Sequence, residues 1–124
     1  MLRLAGERAA RKREHWQAVA VAACEQSGRA VVPTVEPVAL LADWLVRGAI
    51  EGQRLVLSPR PGVPPLRQRT PGAICALSGP EGGLSPAEEA AALAAGFEAV
   101  GLGPRVLRAD TAPLVLLAWI GLQA

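Results

Sequence analysis

Apolar positions along this 124-residue chain change period several times, and each change marks a predicted element. Between 7 and 26, Trp16, Val19, Ala20, Ala23 and Cys24 recur at three- and four-residue intervals, which predicts a helix with one apolar stripe. Gly28 is placed to stop it. Ala30–Pro33 reads as a short strand or extended segment ended by the proline. Val38–Val46 returns to helical spacing through Leu41, Trp44 and Leu45, and Gly48 follows. Arg54–Leu57 and Ala73–Leu77 are short apolar runs, the pattern of buried strands, and the second is expected to be the central strand. Between them Ser58–Gly72 holds five prolines, two glycines and three arginines, the composition of a surface loop.

Ser85, Pro86 and Glu88 supply an N-cap, a proline at the first helical position and the partner of a capping box, so a helix is predicted from Ser85 to about Ala95, closed by Gly96. Phe97–Val100 predicts a further strand. Asp110 is placed to cap a last helix with Pro113 in its first turn. From Leu114 to Ile120 that helix is apolar on every face, so one face is expected to meet the core and the other a second subunit. Strands alternating with helices make the fold class α/β, on a single domain.

Composition narrows the choice of partner. Hydrophobic residues make up 51% of the chain, which excludes a disordered protein, whereas aromatics reach only 3%. The core is therefore aliphatic, and an RNA-binding sheet that stacks bases on aromatic rings is disfavoured. The net charge is only +2, yet Arg3, Arg8, Arg11, Lys12 and Arg13 crowd the start and Arg54, Arg60, Arg67 and Arg69 the middle. Arginine suits bidentate phosphate contacts, so an anionic partner competes with a plainly solvated basic surface. His15 reads as a solvated helix residue, with a general base or RNA contact as the other reading. Cys24 and Cys75 lie in apolar surroundings and read as buried free thiols of a reducing compartment, with no zinc-ligand spacing. The first residues are charged with no apolar stretch behind them, and Pro113–Leu122 is too short to span a bilayer, so a cytoplasmic protein without metal or membrane contact is expected.

The candidate chemistry lies in two loops that follow strands. One is Ser78-Gly79-Pro80-Glu81-Gly82-Gly83, between the run ending at Leu77 and the helix opened by Ser85. The other is Gly101-Leu102-Gly103-Pro104-Arg105-Val106-Leu107-Arg108. In an α/β sheet ligands bind at the carboxyl ends of strands, and glycine lets backbone approach them closely. If the two strands are neighbours, the backbone amides and carbonyls of these loops suit a flat heterocycle such as adenine. A triphosphate is not expected, since neither a Walker lysine nor a Gly-x-Gly-x-x-Gly after a first strand is present.

Three segments carry a family resemblance: Trp16 with Ala22–Arg29 and Val32-Pro33, Leu77–Ser85, and Leu102–Arg108 with Asp110-Thr111-Ala112. Through them the chain resembles the ribosomal RNA small-subunit methyltransferase E family, uridine-N3 methyltransferases of the SPOUT superfamily. The resemblance implies an α/β knot, a parallel sheet whose C-terminal segment threads a deep trefoil knot. It also implies S-adenosylmethionine bound in the knotted loops, a homodimer, and 16S ribosomal RNA in the small ribosomal subunit as substrate. On this likeness Leu77, Ser78, Gly79, Pro80, Glu81, Gly82 and Gly83 would hold the cofactor together with Leu102, Gly103, Pro104, Val106 and Leu107. Arg108 would stabilise the uracil anion, with Arg105 as second candidate, unless both arginines only bind phosphate or pair with Glu81. Glu81 is expected to hold its loop rather than face the cofactor. Arg11, Lys12, Arg13 and Arg29 would contact RNA. Two departures stand out. Asp110 occupies a position usually taken by Glu, and the family's N-terminal PUA-like domain and first β-α-β stretch have no counterpart, so residues 1–124 read as a partial, N-terminally truncated SPOUT domain with an exposed apolar sheet edge. Two other readings stay open: ribose 2′-O methylation on the same fold, and a non-catalytic remnant that dimerises or binds cofactor only.

Overall fold

The computed structural model describes residues 6–47, 51–68, 71–81, 83–103 and 107–122. The chain forms two compact units, Met1–Leu40 and Leu41–Ala124.

The first unit is built on helix α1, Gly6–Ser27. It ends at Gly28, where the Arg29 N–H donates to the Cys24 carbonyl at 2.9 Å, the six-to-one bond of a Schellman stop. The following segment returns along the helix and forms no strand at Ala30–Pro33, where a short strand or an extended segment was expected. Its backbone is satisfied by helix side chains. Gln17 Nε2 donates to the Pro33 carbonyl at 2.9 Å, Gln17 Oε1 accepts from the Val35 N–H at 2.8 Å, and Arg13 Nε donates to the Val35 carbonyl at 2.7 Å. The apolar stripe of α1 is buried only at Cys24, whereas Trp16 and Val19 stay 45% and 53% exposed.

The second unit opens with α2, Leu41–Val46, which begins three residues later than the spacing of apolar residues suggests. A one-turn helix depends on packing. Leu41, Trp44 and Leu45 pack on the core, while Val38 and Leu40 remain exposed. Strands β1 (Gln53–Leu57), β2 (Ile74–Ser78) and β3 (Glu98–Val100) form a parallel sheet in the order β2-β1-β3. The central strand is therefore β1, and the apolar run at 73–77 lies at an edge of the described sheet. The reason is visible in burial: Leu55, Val56 and Leu57 are all buried, whereas Ala76 and Ser78 are exposed.

Successive residues of β1 point to opposite faces and so found two cores. Val56 packs with Leu45, Ala92 and Phe97 beneath α2 and α3 (Pro86–Ala94), where the Trp44 and Phe97 rings lie 6.0 Å apart. Leu55 and Leu57 pack with Val100 and with Leu116 of α4 (Ala112–Leu122). Helix α3 starts in the expected capping box: the Glu88 N–H donates to Ser85 Oγ at 3.1 Å and the Ser85 N–H to Glu88 Oε1 at 2.9 Å. At its other end Arg54 Nη1 donates to the Ala95 carbonyl at 2.8 Å, a cation placed on orphan carbonyls.

Helix α4 is half as buried as an all-round apolar helix implies. Leu116, Ala112, Trp119 and Ile120 meet the sheet, while Leu114 and Leu117 are 65% and 63% exposed. Asp110 does not cap it, because the helix starts one residue further on and Thr111 flanks it. The Asp110 carboxylate instead accepts from Thr111 Oγ1 at 3.4 Å and lies 3.3 Å from Arg108 Nε. Both cysteines are free, but only Cys24 is buried. Cys75 is half-buried, and that burial pushes its thiol up against a smaller pull from Arg54.

Candidate functional site

Parallel register brings three strand ends level, with Leu57 opposite Ser78 on one side and Val100 on the other. The chain leaves all three in loops, and these loops enclose a cavity of about 880 Å³. That volume lies within the roughly 300–1,000 Å³ range of small-molecule sites.

The first wall is the glycine turn. The Gly83 N–H donates to the Pro80 carbonyl at 2.8 Å, closing a tight turn. A Cβ on Gly79 would stand 2.6 Å from both the Gly83 carbonyl carbon and the Leu84 nitrogen, so only glycine fits. Gly83 has φ +83° and also abuts Pro59, whose Cδ would lie 3.0 Å from an added Cβ. Ser78, Gly79, Pro80, Glu81 and Gly83 line the cavity. Leu77 does not; its side chain packs into the core beside Val56, because alternation along β2 turns it away from the strand end.

The second wall follows β3. Leu102, Gly103, Leu107 and Arg108 line the cavity. Gly103 takes φ +111°, and a Cβ there would meet nothing within 4 Å. Arg108 is 76% exposed at the rim, its Nε beside Asp110. Gly82, Pro104, Arg105 and Val106 lie outside the described residues.

The two walls were expected to follow neighbouring strands. They instead flank β1, and the gap between them is filled by a third wall that composition alone had marked as mere surface: Ser58 to Pro65. This proline-rich loop is fastened at both ends. The Ser58 N–H donates to the Val100 carbonyl at 3.0 Å, while the Gly101 N–H donates to the Pro64 carbonyl and the Gly101 carbonyl accepts from the Leu66 N–H, both at 2.9 Å. Arg60 reaches helix α3, its Nε 2.7 Å from Glu89 Oε2. The signal was present in the sequence: the rule that selected the other two loops applies equally to the loop after β1.

The lining includes the apolar Leu57, Val100, Leu102, Leu107 and Ala112, and its charged members among the described residues are Arg60, Glu81 and Arg108. Backbone polar groups among apolar side chains suit a flat, neutral heterocycle with a charged tail. The proposed RNA contacts Arg11, Lys12, Arg13 and Arg29 belong to the first unit. Arg11, Lys12 and Arg29 are exposed there, and Arg13 is committed through Nε to Val35. Among the described residues no cluster of His, Cys, Asp and Glu could hold a metal ion, and no helix is long and apolar enough to cross a membrane.

Comparison with known proteins adds to this geometry. Residues 2–121 match a family described as the RNA methyltransferase domain. The chain is 36% identical over 115 residues to ribosomal RNA small subunit methyltransferase E of Synechocystis, covering 88% of this chain and 38% of the relative. It is 37% identical over 123 residues to the protein of the same name from Mycobacterium tuberculosis, covering 94% and 47%. Among solved structures, the Neisseria gonorrhoeae ribosomal RNA small subunit methyltransferase E bound to S-adenosyl methionine superposes with a TM-score of 0.84 at 41% identity, over 97% of this chain and 50% of that one. A putative methyltransferase of Legionella pneumophila, in complex with the bound cofactor SAM, gives 0.85 at 32% identity, over 96% and 49%. The chain thus spans half or less of the length of these relatives.

Proposed function

The chain belongs to the RNA methyltransferase domain family, and from that premise we propose that its three-walled cavity binds S-adenosylmethionine for methyl transfer to N3 of a uridine in 16S ribosomal RNA. The observation that carries the reading is the convergence of two glycine loops on one cavity at the strand ends, where Gly79 and Gly83 leave no room for a side chain and Gly103 leaves its space open. These positions fit the cofactor: bare backbone offers amides and carbonyls to an adenine ring, and Leu102 and Leu107 offer apolar cover. When bound, S-adenosylmethionine supplies an electrophilic methyl group.

The remaining chemistry falls to the chain. Uracil N3 carries a proton of high pKa, and its loss to solvent leaves an anion spread over N3, O2 and O4. A cation at the cavity rim stabilises that charge as it develops. Arg108 is exposed there and is the residue we assign; Arg105 is the second candidate. Loop walls that fix the reacting groups in line supply the rest, because positioning lowers the barrier of a displacement. Arg11, Lys12 and Arg29 are assigned to RNA phosphate.

We carry two further features as part of the proposal. The first is the trefoil knot, an exception to the rule that chains avoid threading. The second is a homodimer formed on the exposed face of α4, where Leu114 and Leu117 leave an apolar surface. A ribosomal target implies work in the cytoplasm.

Two measurements test the reading. Calorimetric titration with S-adenosylmethionine is expected to show one site per chain. Incubation with labelled cofactor and small-subunit RNA, followed by nucleoside mass spectrometry, is expected to yield N3-methyluridine. A 2′-O-methylated nucleoside would transfer the assignment to ribose chemistry, and cofactor binding without any methylated product would leave a binding protein. Sedimentation of the wild-type chain as a soluble monomer would overturn the dimer.

A further inference from the structure

Glu89 is the one buried charged residue among those described, with its side chain 6% exposed on α3. Burial of a carboxylate is costly unless it is fully paired. Here the pairing is half complete. Oε2 meets Arg60 Nε at 2.7 Å, and Oε1 is buried without a hydrogen-bond partner. Stability alone does not account for this arrangement, because a leucine in that place would pack among Leu84, Pro86, Ala90 and Leu93 with no charge to desolvate.

The partner explains the choice. Arg60 lies in the loop that forms the third wall of the cavity, and it is 58% exposed, so its own charge needs no partner for solvation. What the pair does is hold the loop. Its neighbour Pro59 rests against Gly83 of the glycine turn, and Gly83 leads within two residues into the cap of α3. Wall, turn and helix are therefore fastened at two adjacent points, Pro59 to Gly83 and Arg60 to Glu89. The far end of the same loop is bonded to Gly101 of the second wall. Release of Arg60 would leave the near end of the loop held only by the Ser58 bond to Val100 and the Pro59 contact, so the residues beyond them gain conformational freedom.

We propose that Glu89 is a positioning residue for the cofactor site: by anchoring Arg60 it holds the Ser58–Pro65 loop in the conformation that closes the third wall of the cavity. The proposal rests on the reading of that cavity as the S-adenosylmethionine site. Loss of the anchor lowers the fraction of molecules with a closed wall, and the apparent dissociation constant rises by the inverse of that fraction.

The test is a set of four 124-residue chains: wild type, Glu89→Leu, Arg60→Met, and the double variant. Each is titrated with S-adenosylmethionine by calorimetry and melted without ligand. Glu89→Leu is expected to melt at or above the wild-type temperature while binding the cofactor about tenfold more weakly. A merely structural carboxylate would move melting and affinity together, so this split is the signature. The double variant is expected to bind no more weakly than Glu89→Leu, because both changes open the same latch. Wild-type affinity in Glu89→Leu overturns the latch. A further loss on adding Arg60→Met also overturns it, since Arg60 would then touch the cofactor in its own right. Failure of the wild type itself to bind S-adenosylmethionine overturns the reading of the cavity instead, and is told apart by that first titration. If Arg60→Met unfolds because it strands the Glu89 charge, the comparison of Glu89→Leu with the double variant still decides the matter.

Discussion

The two glycine loops look alike in sequence and differ in what their glycines are for. At Gly79 the protein itself occupies the space a side chain would need, with backbone of Gly83 and Leu84 at 2.6 Å from an added Cβ. At Gly103 nothing stands within 4 Å, and the residue lines the cavity. The first loop is a finished turn that builds the wall. The second is held open, and on the proposed function the open volume belongs to the ligand. Glycine content alone cannot separate the two roles, but substitution can.

The largest effect is expected in the first loop. Gly79→Ala drives a methyl group into two backbone atoms that cannot swing away, and overpacking of this kind costs roughly 1–3 kcal/mol. For a unit of this size that corresponds to a fall in melting temperature of about 5–20 °C. Cofactor binding should vanish with it, because the turn that carries Pro80, Glu81 and Gly83 to the cavity is displaced. Wild-type melting in thermal denaturation would show that the turn has slack, and would erase the contrast between the loops.

The second loop should respond differently. Gly103→Ala and Gly103→Val share the penalty of φ +111°, a region nearly closed to side chains, worth about 1–3 kcal/mol. Their melting temperatures are therefore expected to be close. Their affinities are not: valine adds two methyl groups to the space reserved for the ligand, and should bind S-adenosylmethionine at least tenfold more weakly than alanine does. Equal affinities in calorimetry would make Gly103 a conformational glycine like any other and move the ligand elsewhere.

A smaller effect, confined to catalysis, separates chemistry from cradle within the second loop. Arg108→Ala is expected to lower the saturating rate of methyl transfer about 100-fold with cofactor affinity nearly intact, the scale of losing one donor to a developing anion. If the side chain only meets phosphate, the Michaelis constant for RNA rises and the saturating rate survives. Arg108→Lys refines the result, since lysine keeps the charge and loses the planar fork.

Much of this architecture could be read from residue order. The capping box at Ser85 and Glu88 formed as spelled, because it needs only four consecutive residues. Strands β1, β2 and β3 stand within a residue or two of their apolar runs. Errors arose where distant chain decides. Of the two readings open at Ala30–Pro33, a strand or an extended segment, the strand does not form, and Gln17 and Arg13 bond the backbone at Pro33 and Val35 from a helix. The run at 73–77 is as apolar as β1, yet pairing order placed it at an edge. Leu77 sits next to the glycine turn in sequence and faces the other way in space. The third wall, and with it Arg60 and Glu89, was passed over because proline-rich composition describes a loop and says nothing of what it covers, although its place after a strand marks it as the other two loops are marked.

The smallest expected effect concerns Asp110, whose carboxylate stands 3.3 Å from Arg108 Nε. Both partners are well exposed, 76% for Arg108 and 69% for Asp110, and exposed ion pairs are worth little. Two roles could still make it matter. As a cap it would hold the start of α4, but that helix begins beyond Thr111 and does not use it. As a brace it would fix Arg108 for the uracil anion, and a solvated pair fixes a long side chain weakly, because water competes for both ends. Asp110→Ala should therefore leave the melting temperature unchanged and lower the saturating methyl-transfer rate by less than about threefold, the scale of an exposed pair. Asp110→Glu, which keeps the charge and lengthens the side chain by one methylene, should differ from wild type by no more. A loss from Asp110→Ala as large as that from Arg108→Ala would mean the two act as a unit, with the carboxylate orienting the guanidinium in the RNA-bound state, and the chemistry of the second loop would then rest on a pair and not on a single arginine.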